Sequence, residues 1–164
     1  MARRTVVLVA ALTAVIWCVA GNAQETNSRR RLSPDEIGAL DKMGPSAGTS
    51  GVAGIQTRIL KGDPTRSGLY TIQLEVPANT RIESHLHPDD RVASVISGIW
   101  YFGYGNRFEE KDLKALPSGS FYTEPANEPH FARTGSSPVV VQITGIGPTG
   151  TQFTDAHPAP SKKP

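Results

Sequence analysis

Cysteine occurs once in the 164 residues, at Cys18, so no intramolecular disulfide can staple the chain. Long apolar runs are missing too. The apolar stretch from Val6 to Ala20 has about 15 residues, against the roughly 20 that span a bilayer comfortably. Clustered positive charge, which nucleic-acid binding requires, is also lacking: Arg29-Arg30-Arg31 has no aromatic residues among it and reads as a solvated run. No internal repeat and no long helical periodicity is evident. Together these absences exclude a disulfide scaffold and a nucleic-acid partner, and they leave stability to one packed core.

What is present begins with an address. Arg3-Arg4, the apolar run and Gly21-Asn22-Ala23 have the charged, apolar and small-residue parts of a secretory signal peptide, with cleavage expected after Ala23. Trp17 before Cys18 does not resemble a lipoprotein acceptor site, where small residues precede the cysteine. Loss of residues 1–23 would remove Cys18, Arg3 and Arg4 and leave 15 basic against 15 acidic residues. The basic pI of about 8.8 is then partly a property of the targeting segment. The expected location is periplasmic or secreted, with no membrane association after cleavage.

Residues 24–50 read as a flexible leader, polar and rich in small residues, with the tract Gly44-Pro45-Ser46-Ala47-Gly48-Thr49-Ser50-Gly51. One short helix is expected at 34–43, capped by Ser33, with Pro34 at its first position and Gly44 to end it. From 51 to 150 the texture becomes short strands punctuated by Gly, Pro and Asn: 55–61, 69–76, 82–87, 92–96, 99–104, 120–124, 130–134 and 139–146. A helical turn or two is expected between Phe108 and Leu116. Such spacing predicts an all-β sandwich or barrel. Residues 151–164 carry little core material and read as a loose tail, with His157 exposed.

The chemistry gathers at His85-Leu86-His87, which His130 follows 43 residues later. On an extended segment, residues i and i+2 share a face, so His85 and His87 make a chelating pair and His130 a third corner. Neutral imidazole suits zinc, iron, copper or nickel. Asp89, Asp90 and Glu124 are candidates for a fourth ligand or for support of the first three. Asp89 shares the parity of the histidines, although Pro88 disturbs it. Trp100, Phe102 and Tyr104 share a strand face and read as core more readily than as a substrate-stacking wall. Tyr122 and Glu124 share a face on the strand before the third histidine.

These spacings resemble the two motifs of the cupins, small jelly-roll β-barrels. The first motif runs glycine, five residues, His-x-His, three or four residues, Glu, six residues, Gly. His85, His87 and Gly98 match, Asn79 stands for the opening glycine, and Arg91 stands for the glutamate. The second runs Gly, five residues, Pro-x-Gly, two residues, His, three residues, Asn. Gly119, Pro125 and His130 match, with Asn127 and Thr134 at the other two places. The resemblance implies a cupin-type jelly-roll barrel preceded by a short helix or loop extension. It also implies one divalent metal (Fe, Mn, Zn, Ni or Cu) on His85, His87 and His130, and pairing into a homodimer through an edge strand. Arg91 has no lone pair and stays protonated, so it cannot be the ligand that the motif's glutamate often is. It would make the site more open and more positive, and so able to contact a small anionic ligand. The implied function is a metal-dependent enzyme with dioxygenase, isomerase or hydrolase chemistry, or else a non-catalytic ligand- or metal-binding and sensing module. A barrel that has lost its metal is the third alternative.

Overall fold

Alternating burial along short extended segments assembles two sheets. The protein is described by a computed structural model covering residues 29–154, with strands β1 (Gln56–Lys61), β2 (Gly68–Val76), β3 (Arg81–Leu86), β4 (Arg91–Ser97) and β5 (Ile99–Tyr104). Five more follow: β6 (Lys114–Pro117), β7 (Phe121–Glu124), β8 (His130–Thr134), β9 (Val139–Gly147) and β10 (Gln152–Phe153). One sheet has the order β1-β2-β9-β4-β7 and the other β10-β3-β8-β5-β6. The architecture is the expected cupin-like jelly roll, with the two antiparallel sheets not closed into a continuous barrel. The signal-peptide reading of 1–23, Cys18 and His157 fall outside the described residues. Among the described residues, no helix is long and apolar enough to cross a membrane.

The core lies between the sheets. Ile72, Leu74 and Val76 of β2 and Val139, Val141 and Ile143 of β9 face Ile82, Trp100, Phe102 and Ala132 from the other sheet. Along β9 every second residue is buried, the period-2 signature of a strand with one covered face. Trp100 and Phe102 are core residues, as their parity predicts, whereas Tyr104 is half exposed at the strand's end.

Four local expectations are corrected. The helix stops early, at Pro34–Gly38 rather than at residue 43, although its capping box is complete: Ser33 Oγ accepts from Glu36 N, and Glu36 accepts from Ser33 N. Met43 instead bridges Thr57 through two main-chain bonds, which a continued helix would forbid. Between Phe108 and Leu116 there is a single 3-10 turn, Glu110–Asp112, followed by β6, because Leu116 is buried opposite Trp100. Residues 48–50, assigned to a flexible leader, are buried. The tail starts later than residue 151, since Gln152 and Phe153 pair with Leu86 and His85.

Two asparagines explain how the departures from the motif glycines are tolerated. Asn79 and Asn127 have φ of 54° and 60°, a left-handed conformation that glycine and then asparagine adopt most easily. Thr134, at the place of the motif's last asparagine, ties the turn before β3: its Oγ1 donates to Pro77 O at 2.7 Å and accepts from Thr80 N at 2.8 Å.

Candidate metal centre

Strand register brings the site together. His85 lies directly opposite His130 across β3 and β8, and a bulge between Ile82 and His85 turns the odd-numbered side chains inward from there on. His87 follows immediately after β3, one residue pair along on the same side. The three rings sit with centroids 4.5–5.3 Å apart, and one nitrogen of each lies within 4.8 Å of the others. All three side chains are buried, to 5% exposure or less.

Each ring is held from behind by a main-chain carbonyl. Nδ1 of His85 lies 2.8 Å from Glu83 O, Nδ1 of His87 2.5 Å from Gly150 O, and Nδ1 of His130 3.0 Å from Glu128 O. Such contacts place the proton on Nδ1 and leave the Nε2 lone pair free, the usual second shell of a metal-ligating histidine. Nε2 of His87 and of His130 are buried with no hydrogen-bond partner. A buried polar atom without a partner costs about 1–3 kcal/mol, so two at one spot call for an occupant. The three histidines could hold a metal ion.

Protonation favours the same use. Burial holds His85 at about 3, with His130 adding to the effect, and burial holds His87 at about 2, with Arg91 next. Burial lowers His130 as well. The rings are therefore neutral at pH 7 and have their lone pairs available. The sign of the pH dependence follows: between these values and the ordinary 6.5 the unfolded chain binds protons that the folded chain refuses. Stability is fully present above about 6.5 and declines as pH falls towards the folded values. We expect the urea midpoint, measured in chelator, to fall steadily from about pH 7 to about pH 4.5, and to fall less steeply for His87→Ala. A midpoint constant over that range would contradict the buried neutral imidazoles.

Glu124 and Arg91 complete the cluster from the other sheet. They are cross-strand partners on β7 and β4, and both side chains point inward. Arg91 Nε donates to Glu124 Oε2 at 2.7 Å, Nη2 donates to the same oxygen, and Nη1 donates to Gly48 O at 2.8 Å. That carboxylate oxygen lies 3.7 Å from His130 Nε2 and 4.0 Å from His87 Nε2. Burial pushes the Glu124 carboxyl up, but the Arg91 guanidinium outweighs it and holds it at about 2. Glu124 is thus an ionised carboxylate facing two of the three imidazoles. Where the motif offers a glutamate from β4, this chain offers one from β7 and an arginine beside it.

The other acidic candidates lie elsewhere. Neither Asp89 nor Asp90 lines the cavity in front of the histidines. Pro88 breaks the alternation: Asp89 accepts from buried Tyr70 Oη at 2.7 Å, and exposed Asp90 accepts from Ala126 N at 2.9 Å. Arg91 lines the cavity, with its charge compensated by Glu124 rather than added to the site. Tyr122 also faces it, and burial, with Glu124 next, keeps its phenol well above the ordinary value. Sequence reading missed Gly48, Ser50, Gly150 and Thr151. Only the glycine-rich tract around Gly48 gave any signal. The free volume in front of the histidines is about 30 Å³, roughly that of one water molecule.

No family profile matches the chain, and no curated protein matches it in sequence. Solved structures do match in shape. The polyketide cyclase RemF from Streptomyces resistomycificus aligns with a TM-score of 0.58 at 16% identity over 80% of this chain and 91% of that one. A cupin 2 conserved barrel domain protein from Rhodopseudomonas palustris gives 0.57 at 13% identity, over 77% and 85%. A structure of DMSP lyases gives 0.56 at 18% identity over 71% of this chain and 63% of that one. The chain spans under two thirds of the length of the lyase it matches. At these identities the likeness speaks to the fold, which is that of the cupins.

Proposed function

We propose that the protein is a metal-binding cupin that holds one divalent ion through His85, His87 and His130 and binds or transforms a small anionic organic molecule beside it. The observation that carries this reading is the set of three buried, neutral imidazoles, each backed by a carbonyl, with unpartnered Nε2 atoms on His87 and His130. A bound ion would supply Lewis acidity or open coordination positions. The chain's own residues orient the imidazoles and exclude water. Glu124 offsets Arg91, so the charge of the ion itself would stay uncompensated by the three neutral rings and would favour an anion. RemF and the DMSP lyases are named as enzymes, so this fold supports catalysis, and turnover is the reading we put first. Secretion through residues 1–23 and pairing into a homodimer belong to the same proposal.

The test is ligand binding to the metal-loaded protein across pairs of carboxylic acids and their amides. Carboxylates should bind at least about tenfold more tightly, a difference of 1.4 kcal/mol. Equal or better binding of the amides would overturn the anionic assignment. A second reading, metal binding or sensing without turnover, is favoured by one observation: the free volume of about 30 Å³ accepts an ion or a water but no organic substrate as it stands.

A further inference from the structure

The small cavity has one wall that differs from the rest. Its lining residues lie in strands or directly adjoin one, with the exceptions of Gly48 and Ser50. These two belong to the loop 44–54, whose ends are pinned together where Met43 pairs with Thr57 of β1. The sheet walls cannot part without exposing the apolar core packed between them. The loop is held more lightly: among the described residues it makes no main-chain hydrogen bond to either sheet, and its bonds Thr49 N to Ser46 O and Ile55 N to Val52 O are local.

Besides the packing of Val52 against the core, two side-chain hydrogen bonds hold the loop down. Arg91 Nη1 donates to Gly48 O at 2.8 Å, and Thr151 Oγ1 donates to Thr49 O at 2.6 Å. Gly48, with φ of +88°, fits because it has no side chain: a Cβ there would stand 3.1 Å from Ile72 Cδ1 and 3.3 Å from Thr149 Cγ2. Gly51 and Gly54 also have positive φ, so the loop has permissive joints along its length. The closed position leaves Ser46 Oγ and Ser50 Oγ buried without partners, an incomplete fit of the kind expected of a segment that moves. Residue 150 holds His87 through its carbonyl while residue 151 holds the loop, so one short strap serves both ligand and cover.

We propose that residues 44–54 form a lid over the histidine site, latched by Arg91 and Thr151, which must swing out before a metal ion or a ligand can enter or leave the histidine site. The same swing would free Arg91 Nη1, the guanidinium nitrogen not committed to Glu124, for the carboxylate of an incoming ligand. This rests on the reading of the three histidines as a metal centre.

The test uses the full chain and Zn²⁺ as probe. Amide hydrogen exchange in 44–54 and the rates of Zn²⁺ uptake and of its release to a chelator are measured for wild type, Thr151→Val, Gly48→Ala and the control Thr151→Ser. Loss of the Thr151 latch should raise loop exchange about fivefold, the worth of one net hydrogen bond, and a Cβ at Gly48, crowded against Ile72, should raise it too; both Zn²⁺ rates should rise with it. Thr151 Oγ1 also lies 3.4 Å from His87 Nδ1, so Gly48→Ala is the variant in which Zn²⁺ affinity should stay unchanged. Thr151→Ser, which keeps the hydroxyl, should behave as wild type. Unchanged loop exchange in both variants, or faster exchange with wild-type Zn²⁺ rates, overturns the lid. If no Zn²⁺ binds at all, the metal reading fails, and the lid is still judged by exchange: a wild-type loop protected as strongly as β1 would overturn it.

Discussion

Glu124→Gln, assayed in chelator so that no metal contributes, is expected to lower the stability of the fold by about 3–5 kcal/mol, because it leaves a buried guanidinium uncompensated. Arg91 is 3% exposed, and both Nε and Nη2 point at Glu124. Glutamine keeps the shape and removes the charge, so the loss reports electrostatics rather than packing. The fall in Tm should be on the order of 10 °C. The paired replacement Arg91→Met with Glu124→Leu should recover most of the loss, since removing both charges together leaves nothing uncompensated. If Glu124→Gln stays within about 1 kcal/mol of wild type, the pair is not buried and ionised as described.

His130→Ala is expected to weaken divalent-metal binding by more than about 100-fold, above the 10–100-fold that follows when only a supporting partner of a ligand is lost. The fold should survive. Its ring neighbours are the other two histidines, at 4.5 and 5.3 Å between centroids, and Phe102 at 5.4 Å, and truncation also removes a buried nitrogen that has no partner in the metal-free protein. Titration of metal into the variant, with circular dichroism to confirm the sheets, separates the two effects. Affinity within tenfold of wild type would remove His130 from the ligand set.

These two predictions draw on different amounts of sequence information. The histidines were legible because a period of two puts His85 and His87 on one face and the motif spacing picks out His130. The strands were legible from the same alternation. Glu124 was only one of three acidic candidates, since choosing it requires the register that sets Arg91 opposite Glu124. Asp89 could not be ranked from parity because Pro88 disturbs it, and there the chain turns the side chain to Tyr70. The contacts of Gly48 and Gly150 with Arg91 and His87 were illegible for a plainer reason: both are made through main-chain carbonyls, which leave no mark on residue type. β6 was misread because Lys114–Pro117 has a single buried residue, too few for a periodic signal.

The central claim is that His85, His87 and His130 hold one divalent ion. Metal analysis of the purified protein after loading and dialysis tests it most directly, with His87→Ala prepared in parallel. We expect about one equivalent retained by the wild type and a loss of at least 90% in the variant, in keeping with the removal of one of three ligands. No retained metal in the wild type, or equal retention in folded His87→Ala, would contradict the account.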